Sequence, residues 1–364
     1  MNKTLKKILV ASAAASMLTT SAFSQLKLSG YGEAGLITGS MKGRLNDVSS
    51  KGVGQEFVLL AENTGKTAMG DYRVFLNIDT DEARNGMNLV SPHGNAFGAR
   101  GIELMPTKET MLFYTYEGVY GGEIARTAVP VVTERVGDLF GTGAEFIDVT
   151  SGSHAYGFEF RPTGHRISVA YSPTLNNGTS SSSDRLNGAA STIAVGGVAN
   201  TASGYSVGYR GALGPITAAI GYTSIDQKIA TNQDVNSKTA GLTYTQAPFA
   251  IGVQRTANEG TKASIATATA GVKRTIDNVA VSFAASKQVT LGATYSEIEE
   301  RHNVLTKGPD TKIIQGVVAY NLGPVVLSVA HERADNKSGG NAGPTATISG
   351  LDHSLTKVKV KANF

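Results

Sequence analysis

In the last segment of the chain Lys357, Lys359 and Lys361 alternate with Val358, Val360 and Ala362. A period of two is the period of a β-strand, so one face of this strand carries three ammonium groups and the other is apolar. Three lysines cannot enter a dry core, and their face must meet water, a counter-charge or a polar lumen. The same scheme recurs along the chain. Leu26, Leu28, Gly30, Gly32, Ala34 and Leu36 oppose Lys27, Ser29, Tyr31 and Glu33. Tyr72, Val74, Leu76 and Ile78 oppose Arg73, Phe75, Asn77 and Asp79, and Tyr156, Phe158 and Phe160 oppose Gly157, Glu159 and Arg161. Ile167, Val169 and Tyr171 oppose Arg166, Ser168 and Ala170, while Tyr205, Val207 and Tyr209 oppose Ser206, Gly208 and Arg210.

The connectors supply a second signal. Short turn sequences stand at Arg161–Gly164, Ala212–Pro215, Gln246–Pro248, Ser286–Gln288 and Asn321–Pro324. Long polar stretches lie between them, at Thr174–Ser203, Asp226–Asn236, Arg301–Asp310 and Asp335–Gly350. Short turns at one end and long loops at the other are the pattern of a transmembrane barrel. A large soluble sandwich or β-helix also alternates, and it is the loop asymmetry with the terminal aromatic that favours the barrel. The expected fold is all-β, a transmembrane antiparallel β-barrel of about 16 strands, with short periplasmic turns and long outer loops. The count rests on Gly101–Gly122 and Ser264–Asn278, each of which reads as strand or loop.

The first residues give the compartment. Lys3, Lys6 and Lys7, an apolar stretch Ile8–Leu18 and the small residues around Ala22-Phe23-Ser24 predict a secretory signal peptide over 1–24, leaving 25–364 as one barrel domain. Three of the 33 basic residues leave with the signal and none of the 29 acidic ones, so the remainder carries +1. That balance removes the support for a nucleic-acid partner. With no cysteine there is neither a disulfide framework nor a thiolate metal site. Gly, at 43 of 364 residues, exceeds the usual ~7% but has no collagen period.

SFAASKQVTLGATYS resembles a strand, turn and strand of the trimeric Gram-negative outer-membrane porins, and VKVKANF resembles their closing strand. LSGYGEAGL, and NAFGARG followed by GGEIARTAVP, resemble porin strands, the latter two flanking the third loop. MPTKETMLFYTYEGVY departs from the family, which carries a short Gly-rich turn there. The resemblance implies a homotrimer in the bacterial outer membrane, in contact with lipid and lipopolysaccharide. It implies a third loop folded into the pore and a final Phe364 read by the barrel-assembly machinery. The function it implies is passive transport of ions and small hydrophilic solutes, a general diffusion porin. A substrate-selective channel and an outer-membrane adhesin are the alternatives.

On the same resemblance the constriction loop runs over Val131–Thr150 with Glu134, Arg135, Asp138, Glu145 and Asp148, facing Arg73, Arg100 and Arg126 on the pore wall. Opposed charges across a narrow aqueous gap order water and bias ion choice. Solvated loop charges and lumen-facing arginines away from the constriction are the plainer readings. Lys27, Lys357, Lys359 and Lys361, on the strands that must pair to close the barrel, form either a basic stripe or one neutralised by carboxylates such as Glu33. Asp79, Asp81 and Glu82 offer hard oxygen ligands for a structural Ca²⁺, without EF-hand spacing; no other cofactor is expected. No G-x-S-x-G, H-E-x-x-H or phosphate loop occurs, so no enzyme is expected, although His154 and His165 fall on neighbouring strands.

Overall fold

The computed structural model describes residues 25–42, 48–81, 97–116, 118–137, 139, 150, 154–173, 203–226, 235–261, 271–302, 310–336 and 352–364. They build a closed antiparallel barrel of sixteen strands. In chain order these are β1 (Gln25–Lys42), β2 (Val48–Thr67), β3 (Gly70–Asp81), β4 (Phe97–Met105), β5 (Thr110–Tyr116), β6 (His154–Phe160), β7 (His165–Ser172) and β8 (Ser203–Leu213). The second half continues with β9 (Ile216–Asp226), β10 (Val235–Gln246), β11 (Phe249–Thr261), β12 (Gly271–Ala284), β13 (Val289–His302), β14 (Thr311–Asn321), β15 (Val325–Asp335) and β16 (Asp352–Asn363). Each strand pairs with its neighbours in sequence, and β16 closes on β1 with Glu33 opposite Lys361 and Gly35 opposite Lys359.

The turn sequences stand where expected, with Gly164 and Gly323 at φ 78 and 90, in the left-handed region that favours glycine. MPTKETMLFYTYEGVY contains a turn at Pro106–Glu109 between β4 and β5. Of Ser264–Asn278, the part from Gly271 is β12. The predicted signal peptide and most of the long polar stretches lie outside the described residues.

The two faces follow the alternation. Leu28, Val207, Val253, Val281, Val318, Val329 and Val358 are exposed on the outside, while Glu159, Ser168, Ser206, Thr256, Ser296 and Glu332 are fully buried on the inside. An outer surface this apolar requires lipid against it. Tyr156, Tyr171, Tyr205 and Tyr222 mark its border toward the long loops, and Phe249, Phe283, Tyr244 and Tyr320 its border at the turns. Beyond the first border the outer faces of β11 and β12 become ionic, with Arg255 bonded through two nitrogens to Asp277 at 2.6 Å each and Lys273 2.7 Å from Glu259.

Phe364 finishes the seam. Its backbone exchanges two hydrogen bonds of 3.0 Å with Gly30, and its ring stacks on Phe57 with centroids 5.6 Å apart. A Cβ on Gly30 would lie 2.9 Å from the Phe364 ring, so this position has to stay bare.

If the outer face contacts lipid, Val329→Arg, at mid-belt on β15, is expected to destabilise the barrel by about 2–4 kcal/mol. Guanidinium unfolding of the barrel in lipid vesicles measures it, and an unchanged midpoint would contradict a lipid-facing β15.

Candidate pore constriction

The segment between β5 and β6 folds inward, and residues 118–137 run along the inner wall from β7 to β16. It begins earlier than the expected Val131, since Tyr120 already hydrogen-bonds Glu103 of β4 through its phenol and stacks on Phe113 at 4.2 Å. Burial, then the charge of Glu103, pushes the Tyr120 phenol well up from its ordinary value, so it remains a donor. Gly121, at φ 60, donates its N–H to Ser168 Oγ at 2.7 Å and opens a single 3₁₀ turn, Gly121–Ala125.

Wall glycines make room for the segment. A Cβ on Gly208 would lie 2.6 Å from Ile124, on Gly221 3.1 Å from Ala125, on Gly241 2.5 Å from Ala128, on Gly252 2.7 Å from Pro130 and on Gly292 2.5 Å from Val132. These five belong to β8, β9, β10, β11 and β13, so the segment lies in a groove where the wall has no side chains. Its end is held by apolar packing, with Val136 buried among Ile276, Ile298, Ile313 and Ala334.

Side-chain amides and a carboxylate then clamp its backbone at two places by the same pattern. Gln254 Oε1 accepts from the Ala128 N–H at 2.9 Å while its Nε2 donates to the Arg126 carbonyl at 2.9 Å. Gln315 Nε2 donates to the Arg135 carbonyl at 2.9 Å, and Glu332 accepts from the Gly137 N–H at 2.9 Å. In each case a C=O and the N–H two residues on are satisfied as a paired strand would satisfy them, which a buried extended backbone requires. Gln315 also donates to Glu332 at 2.9 Å, joining the second clamp into one unit.

Charge completes the seat. Glu134 bridges Lys357 at 3.3 Å and Lys359 at 2.5 Å, and Lys359 also reaches Glu33 at 3.2 Å. Lys361 lies 3.9 Å from Glu33 and 3.3 Å from the centre of the Tyr31 ring. The three lysines of this stripe therefore share two carboxylates, Glu33 and Glu134. Lys27 is separate from it, paired with Glu62 at 3.2 Å. Arg73 faces the lumen between Glu62 at 2.9 Å and Glu103 at 2.8 Å.

Two predicted wall residues are corrected. Arg100 shares its parity on β4 with the outward Ile102 and lies over the Tyr116 ring at 4.0 Å, on the outside of the barrel. Arg126 belongs to the inserted segment, where it caps the 3₁₀ turn and pairs with Glu123 at 3.0 Å. GGEIARTAVP is accordingly the start of that segment, whereas NAFGARG does run into β4. The acidic loop faces lysines at Glu134 rather than arginines. Asp138, Glu145, Asp148 and Glu82 lie outside the described residues, as do the side chains of Asp79 and Asp81. Arg210, Glu159, Gln254, Gln315 and Glu332 escaped the sequence analysis as site residues, although their inward parity was legible.

Between the segment and the wall near the turns lies a cavity of about 530 Å³, lined by Thr127, Val129, Pro130, Val131, Arg135, Arg210, Thr217, Thr243, Thr245 and Ala250. Each side brings polar groups to it, Thr127 and Arg135 from the segment and Arg210, Thr217, Thr243 and Thr245 from the wall, and Arg210 holds the segment by donating to the Thr127 carbonyl at 2.9 Å and the Ile124 carbonyl at 3.4 Å.

The sixteen-stranded closed barrel has counterparts among solved structures. The chain is similar to a loop L8 deletion mutant of OmpT, an outer membrane protein of Vibrio cholerae, at 10% identity and TM-score 0.62 over 93% of this chain and 99% of that one. It is similar to an anion-selective porin from Comamonas acidovorans at 12% identity and TM-score 0.59, over 93% and 100% of the two chains. It is also similar to a double mutant of the Rh. blastica porin at 15% identity and TM-score 0.56, with the same coverage. No family model matches the sequence, and no curated protein does. The fold is that of the outer-membrane barrels, porins among them.

Gln254→Ala leaves a buried N–H and a buried C=O unpaired, at a cost of about 1–3 kcal/mol each. The expected outcome is faster amide exchange at Ala128, by at least about tenfold, with the strand amides of β10 unchanged. Gly241→Leu should displace the segment outright and raise single-channel conductance; an unaltered conductance would mean that the groove does not set the bore.

Proposed function

We propose that this protein is a passive channel of the bacterial outer membrane, a general diffusion porin for ions and small hydrophilic solutes. The observation that carries this reading is the inserted segment. It is clamped to the wall, and a space whose lining includes two arginines and four threonines is left beside it. A permeating solute needs only water and fixed charges along its way, and no bond is made or broken. His154 and His165 do not form a dyad. They sit at opposite ends of β6 and β7, each against a tyrosine hydroxyl, at 2.9 Å from Tyr114 and 3.0 Å from Tyr209. Among the described residues no group of three His, Asp or Glu side chains converges on a metal site.

The same reading includes export through residues 1–24, assembly through Phe364 and a homotrimer in contact with lipid and lipopolysaccharide. The exposure of the Phe364 ring supports that assembly role.

Single-channel recording of the refolded protein in planar bilayers tests the channel. Ohmic openings in groups of three are expected, with a detergent-resistant trimer by gel. Correctly folded barrels that pass no current would overturn the reading and favour an adhesin.

A further inference from the structure

We propose that the cavity beneath the inserted segment is a binding site for small oxyanions on the permeation path, formed by the guanidinium groups of Arg210 and Arg135 with the hydroxyls of Thr217 and Thr245. It deepens the channel reading and rests on it.

Arg166 and Arg210 stand directly opposite each other across β7 and β8, both turned to the lumen. Like charges in that relation repel, and each needs compensation. Arg166 has it: Glu159 accepts from its Nε at 2.6 Å and from its Nη2 at 2.9 Å. The carboxylate is then used up, because Glu159 is fully buried and also bonded to Arg161. Arg210 has two carbonyl partners, Thr127 and Ile124, and among the described residues no carboxylate pairs with it. Both bonds leave from Nη1, so its Nε and Nη2 donors remain for another acceptor.

Other lumen cations contrast with this. Arg73, Lys27 and Lys359 each meet one or two carboxylates within 3.2 Å. Arg210 opens onto the cavity of about 530 Å³, and Arg135 from the inserted segment lines the same space. No carboxylate lines it among the described residues, whereas Thr217 and Thr245 contribute hydroxyls from the wall. A guanidinium fork matches the paired oxygens of phosphate or a carboxylate, and a threonine hydroxyl donates to the oxygens that remain. The site therefore selects by charge and by oxygen geometry, and being open to the lumen it releases what it binds.

Recording in a KCl gradient, and then in chloride with inorganic phosphate added at constant ionic strength, tests the site on the full-length barrel. The wild type is expected to prefer anions, and phosphate to reduce its chloride current with saturation. Arg210→Gln should lower the anion-to-cation permeability ratio about threefold, the weight of one charge a few ångströms from an ion in water, and abolish the phosphate effect. Arg210→Lys should keep the ratio and weaken the phosphate effect, because the charge stays and the fork goes. Heat-modifiable gel migration confirms folding. Should Arg210→Gln not fold, the phosphate effect in Arg210→Lys, which keeps the charge, carries the test. A conducting channel that prefers cations and ignores phosphate, a ratio that Arg210→Gln leaves unmoved, or a phosphate effect as strong in Arg210→Lys as in the wild type overturns the site and leaves the channel standing. A folded barrel without current overturns both.

Discussion

Backbone N–H and C=O groups facing lipid have no water to turn to, so every one of them must find its partner within the protein. The ring of sixteen pairings, closed by β1 and β16, is the response to that constraint, and much of the rest follows from it. Closure fixes an outside that must be apolar and an inside that must be filled or wet. It also forces the parity of each strand. Lys357, Lys359 and Lys361 can only face inward, and there they find Glu33 and Glu134 instead of a dry core. Glu62, Glu103 and Glu159 likewise each serve a cation on the wall, whereas Arg210 meets only carbonyls among the described residues.

The inserted segment solves a problem of the same kind. It brings its own peptide groups into a place where secondary structure is absent apart from one 3₁₀ turn, so the wall must supply the missing partners. Gln254, Gln315 and Glu332 do so. The wall must also let the backbone approach, and the row from Gly208 to Gly292 provides the depth. Hydrogen bonds, shape and the Glu134 ion pairs converge on one position for the segment, which makes it a fixed partition of the lumen.

The barrel was legible in the sequence because its signals are local. Period-two alternation, turn sequences and the terminal Phe each depend on a few adjacent residues, and the faces read from them for β3, β6, β7, β8 and β16 are the faces observed. The site was legible only in part, since it depends on residues far apart in the chain. Gln254 and Ala128 meet across 126 positions, and nothing near either residue announces the other. Arg100 was within reach: it shares parity with Ile102 and Leu104, and following the alternation rather than the resemblance would have placed it outside. Arg126 was misplaced because GGEIARTAVP looks like a flank of the loop, while its glycines and proline break the alternation that a wall strand needs.

Glu134 meets Lys357 and Lys359 on β16. The inserted segment precedes one of its anchors by about two hundred residues in the chain. Its clamps on β11, on β14 and β15, and on β16 are thus supplied by strands far apart in the chain. The position of the inserted segment is a property of the whole ring, because its partners are spread from β7 to β16.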